Sequence, residues 1–354
     1  MRIKKFLVFA AMACGLIGCK NSALRYNPGM LDGVPCAEAT MEPIVENLEC
    51  RYPAQIAVSD SLVIVLDAAV NDNIFHVYDH KGNILTKFGK KGRGYGELIN
   101  TPTYFSLDGQ SVFVADKNKI IQYDLPKILS GKDQSIHQIA YSELFGSQHV
   151  FHNILVRGGA YFCFRMTPDS RLTILSPNSN VATKYDTMPA LVDSDKMSED
   201  NHIIWRYMSR ICVSPDGQFI AQSTYIGAVL DILKLASEKV QPVSTQYIIR
   251  PVYKKIDNNN LTITEKTVIG FDAICCTNEY VFGLINGNEG KDLRDRDFQT
   301  PFSREITVFD WAGNLEKKIK TPDMMTSIFV MPDNRSGYAV TYTDGNYSLA
   351  KVEW

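Results

Sequence analysis

The chain has 354 residues, with 37 Lys and Arg against 39 Asp and Glu for a net charge of −2, and 45% of its residues are apolar. This near-neutral, mildly acidic balance offers no basic stripe for a phosphate backbone, which excludes a general nucleic-acid binder. The apolar share is ample for a large core, and the length suits one long all-β domain as well as two smaller ones.

The chain opens with Met1-Arg2-Ile3-Lys4-Lys5, followed by 13 uncharged residues from Phe6 to Gly18. A helix needs ~20 residues to cross ~30 Å of hydrocarbon, so this run is a signal peptide and not a span. Its end, Leu16-Ile17-Gly18-Cys19, resembles the lipobox of bacterial lipoproteins: a branched apolar residue, a small residue, then the acylated cysteine. The resemblance implies cleavage after residue 18, palmitate-type chains on Cys19 and attachment to a membrane. Each buried CH₂ contributes about 0.8 kcal/mol, so two or three chains anchor stably. By the sorting rule of enteric bacteria, Lys20 in place of aspartate implies the outer membrane. Loss of residues 1–18 removes three basic residues and no acid, and takes the net charge to −5. Residues 19–40, with Pro28, Gly29, Gly33 and Pro35, are expected to be a lipidated tether, leaving 41–354 as the domain.

Of eight cysteines, Cys36, Cys50, Cys163, Cys212, Cys275 and Cys276 remain in the exported part. An exported location permits disulfides, and Cys36 with Cys50 would close a short loop. There is no C-x-x-C to support a zinc or thioredoxin-like motif.

Beyond the tether, short β-type runs alternate with turn residues and helical periodicity is scarce. The first set is Gln55 to Ser59, Leu62 to Asp67, Ile74 to Tyr78 and Asn83 to Phe88. A second begins at Tyr104 and ends near Ser135 to Ala140, and a third begins near Asn153. A fourth starts at Arg210 with a turn at Pro215-Asp216-Gly217, a fifth at Phe271 and a sixth at Ser327. Starts near 55, 104, 153, 210, 271 and 327 are spaced by 49 to 61 residues, the period of four-stranded propeller blades. The expected fold is therefore an all-β six-bladed β-propeller. The last set has room for three strands, so an N-terminal strand, Pro43 to Leu48, is expected to complete it and close the ring.

The stretch Phe88-Gly89-Lys90-Lys91-Gly92-Arg93-Gly94-Tyr95-Gly96-Glu97-Leu98, with Pro102 and Val112-Phe113-Val114-Ala115-Asp116, resembles the NHL-type propeller repeat. The same strand-ending aspartate occurs in Val65-Leu66-Asp67, and Gly270-Phe271-Asp272-Ala273-Ile274 and Ile306 to Asn314 extend the pattern. Together these look like the TolB-like six-bladed propeller proteins of Bacteroidetes, many of them lipoproteins. The match is good in blades one, two, five and six; residues 150 to 250 are placed by spacing alone. The family has no single activity, so the resemblance implies fold and cell-envelope location more than function.

Chemical motifs are sparse. Gly92, Gly94 and Gly96 form G-x-G-x-G, which is neither a dinucleotide fingerprint nor a P-loop and suits a tight turn between blades. Around it Lys87, Lys90, Lys91 and Arg93 form a basic rim that suits either a solvated loop or a seat for an anionic glycan or lipid headgroup. His149 and His152 have no third partner, and Asp193, Asp195, Glu199 and Asp200 lack the glycine of a Ca²⁺ loop, so no metal or cofactor is expected. Asp67 and Asp116 are expected to cap turn amides. No G-x-S-x-G or H-E-x-x-H is present.

Two insertions remain. One runs from Asp193 to Tyr207 and ends in Trp205-Arg206-Tyr207, suited to stacking on a sugar or peptide; the other is Asn286 to Arg304, with Arg294 and Arg296. These residues, with Arg93 and Tyr95, are the candidate binding positions. The expectation is a monomeric, membrane-anchored, non-enzymatic binding or assembly module for an envelope protein or glycan. The alternative is a lactonase-like hydrolase with a metal in the central channel, which requires Glu, Asn and Asp to converge there.

Overall fold

The computed structural model describes residues 25–131, 136–145, 153–167, 170–177, 182–187, 189–191, 209–236, 239–255, 261–291 and 302–354. The expected signal segment and Cys19 lie outside them, as do His149, His152, the acidic residues at 193–200, Trp205, Arg206, Tyr207, Arg294 and Arg296.

Six antiparallel blades make up the fold. Blade 1 is β3 (Pro53–Val58), β4 (Leu62–Asp67), β5 (Asp72–Asp79) and β6 (Ile84–Lys90), after N-terminal strands β1 (Cys36–Glu38) and β2 (Thr40–Val45). Blade 2 is β7 (Ser106–Asp108), β8 (Ser111–Asp116), β9 (Lys119–Asp124) and β10 (Ile136–Ala140); blade 3 is β11 (Asn153–Arg157), β12 (Ala160–Thr167), β13 (Ser170–Leu175) and β14 (Thr183–Tyr185). Blade 4 is β15 (Ser209–Val213), β16 (Phe219–Thr224), β17 (Ala228–Ala236) and β18 (Lys239–Ile249), followed by the small pair β19 (Lys254–Lys255) and β20 (Leu261–Thr262). Blade 5 is β21 (Phe271–Cys276), β22 (Tyr280–Ile285), β23 (Ser303–Asp310) and the first part of β24 (Leu315–Val330); blade 6 is the rest of β24, β25 (Ser336–Thr343), β26 (Asn346–Glu353) and β2. Blades 5 and 6 form one sheet because β24 pairs with β23 along Leu315–Lys320 and with β25 along Met324–Val330.

The burial pattern explains the sequence pattern. The second strand of blade 1 carries an unbroken apolar run, Leu62 to Leu66, with everything from Val63 onward buried, because neighbouring blades cover both faces. Outer strands such as Ile84–Lys90 are open and tolerate Lys and Thr. The buried apolar residues among those described fall into six clusters, one at each junction between adjacent blades. Ile64 and Phe75 meet Leu98 and Tyr123 between blades 1 and 2, Phe113 and Ile120 meet Ile154 and Val156 between 2 and 3, and Phe162 and Ile174 meet Ile211 and Leu233 between 3 and 4. Leu230 and Ile232 meet Phe271 and Trp311 between blades 4 and 5, Phe282 and Val308 meet Ile328 and Ala339 between 5 and 6, and Val63 and Val65 meet Val340 and Leu349 between 6 and 1. Each fully buried aliphatic or aromatic side chain there stabilises by about 1.5–3 kcal/mol.

Ring closure uses the N-terminal strand, three residues earlier than the sequence suggests. β2 pairs antiparallel with β26 from Thr40↔Glu353 to Val45↔Leu349, with a bulge after Pro43. Proline, which lacks the N–H, is accommodated because β2 is an edge strand. Leu48 is instead buried in the junction of blades 6 and 1, its N–H donating to Tyr347 O at 2.6 Å. The expected tether is also laid on the propeller from Arg25 onward. Asn27 N–H donates to Tyr247 O at 2.8 Å, Met30 and Leu31 pack against the cluster between blades 4 and 5, and β1 pairs parallel with β24 at Lys318–Lys320. This placement separates Cys36, exposed at blade 5, from Cys50 in blade 1, and all six described cysteines are free, so the expected Cys36–Cys50 bridge is not formed.

Blades 3 and 4 share a buried ion pair. Arg171, 2% exposed, contacts Asp231 Oδ2 at 2.6 Å and donates through Nε to Gln222 Oε1 at 2.7 Å, while Thr245 donates to Asp231 at 2.6 Å. Removing one member strands a buried charge, which costs about 3–5 kcal/mol, whereas replacing both with apolar residues of similar volume is close to neutral. Arg171→Met is therefore expected to lower the urea midpoint sharply, and Arg171→Met with Asp231→Leu to recover most of the loss; equal midpoints for the two variants would contradict this account. Deleting residues 41–50, which removes most of β2 and Leu48, is expected to give aggregated or unfolded protein, checked by size-exclusion chromatography and thermal melting.

Candidate functional site

The first strands of the blades surround a central channel. Each blade has an even number of antiparallel strands, so every inner strand runs the same way along the axis and all β-hairpin turns after it gather at one mouth. Contacts between neighbouring hairpins agree: Gly158 and Gly159 N–H donate to the Asp108 carboxylate, and Asp216 N–H donates to Asn278 Oδ1. The channel encloses a cavity of about 350 Å³ lined by inner-strand residues from all six blades.

Five polar side chains of this lining, Gln55, Tyr104, Ser106, Arg210 and Ser327, are engaged across blade junctions. Ile56 N–H donates to Ser327 Oγ at 3.2 Å between blades 1 and 6. Between blades 1 and 2, Gln55 donates to Phe105 O at 3.0 Å and accepts from Phe105 N–H at 2.7 Å. Val156 N–H donates to Ser106 Oγ at 2.9 Å between blades 2 and 3, and Arg210 Nε donates to Asp272 O at 2.6 Å between blades 4 and 5. The Tyr104 hydroxyl crosses from blade 2 to Ile211 O in blade 4 at 2.8 Å, and burial pushes its pKa well above the usual phenol value. Cys212 and Cys276 are in hydrogen-bond contact, and burial raises Cys212 far above an ordinary thiol, so it does not supply a reactive thiolate.

Among the described lining residues the acids are Asp60 and Asp272 and there is no Glu or His. Asp60 follows the end of β3 and Asp272 opens β21, so they stand at opposite mouths. The Glu, Asn and Asp convergence required by a metal-dependent hydrolase is not formed by these residues. The cations are Arg157 and Arg210; Arg210 also lies over the Tyr225 ring at 5.8 Å, while Arg157 Nε is buried without a hydrogen-bond partner. Such an orphaned donor is costly unless a ligand or water accepts from it.

The expected surface residues lie elsewhere. Arg93 is exposed and Tyr95 is 71% exposed, its hydroxyl 3.5 Å from Ile136 O, on the link between blades 1 and 2 and outside the channel lining. The basic rim is partly neutralised within the molecule: Lys87 pairs with Glu49 at 2.9 Å and Lys90 with Glu97 at 3.8 Å. Of the three glycines, Gly96 alone needs the left-handed region, with φ +77°. A Cβ on Gly92 would fall 2.0 Å from Glu97 Oε2, and Gly94 N–H donates to the same oxygen at 2.7 Å, so these two let the loop wrap around the Glu97 carboxylate. Asp67 and Asp116 do cap turn amides, those of Arg51, Tyr52 and Ala69 in the first case and Ile99 and Asn100 in the second.

Burial raises the Asp272 carboxyl to about 6, against the lowering influence of Asn286, which donates to Oδ2 at 2.7 Å, and of Arg210. An acid whose folded pKa exceeds its unfolded value stabilises the fold in its protonated form, so this contribution is present at low pH and is lost as pH rises from about 4 to about 6. Two units at about 1.4 kcal/mol each set an upper bound of roughly 3 kcal/mol. Asp272→Asn is expected to flatten the stability profile between pH 4 and 6 and to raise stability at pH 7, measured by urea unfolding across that range; an unchanged slope would contradict the assignment.

A comparison with curated protein sequences found no match. Among solved structures, the chain is similar to an exported-protein candidate of Bacteroides fragilis, at 11% identity and a TM-score of 0.53 over 90% of this chain and 98% of that one. It is also similar to the U3-55K structure, at 9% identity and a TM-score of 0.52 over 91% of this chain and 100% of that one. At such identities the likeness is one of fold. No described helix is long and apolar enough to cross a membrane. The model of the TolB-like 6-blade propeller-like family matches residues 37–333, from the N-terminal strap through the first strand of blade 6, and the chain belongs to that family.

Proposed function

We propose that the chain is an exported lipoprotein, held to an envelope membrane through acylated Cys19, whose propeller binds a protein or glycan of the envelope and performs no chemistry of its own. The channel carries this reading: Gln55, Tyr104, Ser106, Arg210 and Ser327 hold blades together, and among the described lining residues the two acids stand at opposite mouths with no histidine between them. The unpartnered Arg157 Nε favours a ligand bearing an acidic group. The likeness in fold to an exported-protein candidate of Bacteroides fragilis supports the envelope location, as does the charge-free run ending in Leu16-Ile17-Gly18-Cys19. Six Cα steps separate Cys19 from Arg25, a reach of at most about 21 Å, so the lipid would hold the propeller close to the bilayer on the side of blade 4.

Cys19→Ala is expected to abolish acyl labelling and move the protein from the membrane to the soluble fraction; label retained on the variant would overturn the anchor. For the domain, tethered protein should retain an envelope component in capture from solubilised membranes, with retention reduced by Arg157→Met. Hydrolysis of esters or lactones that requires a divalent ion and is lost in Asp272→Asn would instead establish an enzyme.

A further inference from the structure

Outside the channel, three potential metal ligands meet at the junction of blades 6 and 1. Cys50 Sγ, an Asp67 carboxylate oxygen and a His76 ring nitrogen all lie within 4.8 Å of one another, and Cys50 Sγ is 3.5 Å from His76 Nδ1. Tetrahedral Zn²⁺, with Zn–S ~2.3 Å and Zn–N ~2.0–2.1 Å, separates a sulfur and a nitrogen ligand by about 3.6 Å. Asp67 and His76 are buried and Cys50 is half-buried, at the base of a pocket opening past Glu49 and Lys87. Three backbone amides occupy three of the roughly four acceptor directions of the Asp67 carboxylate, and Oδ2 receives only Arg51 N–H, at 2.8 Å.

Blade 2 provides an internal control. Asp67 and Asp116 end corresponding strands, and each caps the first amides of the turn entering its blade, from Arg51 and Tyr52 or from Ile99 and Asn100. Cys50 therefore corresponds to Leu98. His76 pairs with Val65, two residues before Asp67, as Ile121 pairs with Val114, two residues before Asp116. Leu98 and Ile121 are fully buried apolar residues. The fold thus needs the aspartate at this position but neither cysteine nor histidine, and blade 1 departs from blade 2 at both of the positions that would complete a ligand set.

We propose that Cys50, Asp67 and His76 form a binding site for a borderline-soft divalent transition metal of the Zn²⁺ type, with its fourth position open to the pocket. The donor set of thiolate, imidazole and carboxylate is one that zinc sites use and that hard cations such as Mg²⁺ do not. Burial keeps the His76 imidazole neutral, as a ligand must be, and holds the free Cys50 thiol protonated up to about 12, so ion binding releases the Cys50 proton to solvent. The ion would tie the segment after closing strand β2 to the second and third strands of blade 1, and so brace the ring where it is joined.

The full mature protein, stripped with chelator, is titrated with Co²⁺ and then Zn²⁺. The expected result is one Co²⁺ per chain with a thiolate-to-cobalt charge-transfer absorption that Zn²⁺ displaces. Cys50→Ser should abolish the absorption, and His76→Gln should weaken Zn²⁺ binding by at least about tenfold, the least that loss of even a supporting group costs a metal site. A variant given the blade 2 residue types, Cys50→Leu with His76→Ile, should fold and gain no thermal stability from Zn²⁺. If that variant fails to fold, the two single substitutions decide. No charge-transfer absorption in the wild type, an absorption that survives Cys50→Ser, or Zn²⁺ affinity unchanged in His76→Gln would each overturn the site.

Discussion

Everything in this molecule depends on closing the ring. No blade owns a core: the buried apolar residues sit in clusters between blades, so Val63 and Val65 are useful only when Val340 and Leu349 are brought beside them. Five junctions lie between blades already consecutive in the chain. The sixth joins residues about 280 positions apart in sequence, and nothing local assembles it. The loop entropy of that contact must be met before it returns any burial energy, and β2 meets it by adding main-chain hydrogen bonds to apolar packing. The parallel pairing of β1 with β24 and the seating of Met30 and Leu31 near blades 4 and 5 spread the same strap over three blades.

The same constraint governs the channel. Six converging inner strands bring main-chain groups and polar side chains to one axis, and buried polar groups must be satisfied there. Gln55, Tyr104, Ser106, Arg210 and Ser327 satisfy them by reaching across junctions, which turns the lining into a hoop around the axis.

The blade period was legible because blades repeat a turn that only certain residues make, such as Asp108-Gly109 or Pro215-Asp216-Gly217, and because the second strands of blades 1 and 2 are apolar up to their closing aspartates. Inner-strand starts expected at 153 and 271 coincide with β11 and β21. The closing strand was displaced because Leu48 continues the apolar pattern of a strand while serving the core. The tether was misjudged for a related reason: Pro28 and Gly29 suggest a flexible link, yet they open a short 3-10 turn that seats Met30 and Leu31 on the propeller. Side-chain assemblies were the least legible. Arg171 with Asp231, or Cys50 with Asp67 and His76, come together from positions 9 to 60 residues apart with no fixed spacing, because neighbouring blades and strands set their meeting, and sequence motifs record only local spacing.

A repeat fold also allows a test that a single-copy fold does not. Where two blades need the same backbone turn, a residue present in both, as Asp67 and Asp116 are, is accounted for by the turn. A polar residue found in one blade at a position the other fills with a buried aliphatic side chain is not accounted for by the fold, since the aliphatic packs at no desolvation cost. His76 is of the second kind, 3% exposed opposite Val65 where Ile121 stands opposite Val114. Cys50 stands where blade 2 has Leu98 and is in contact with the same histidine. Two departures that meet at 3.5 Å beside a shared aspartate are what a ligand set requires.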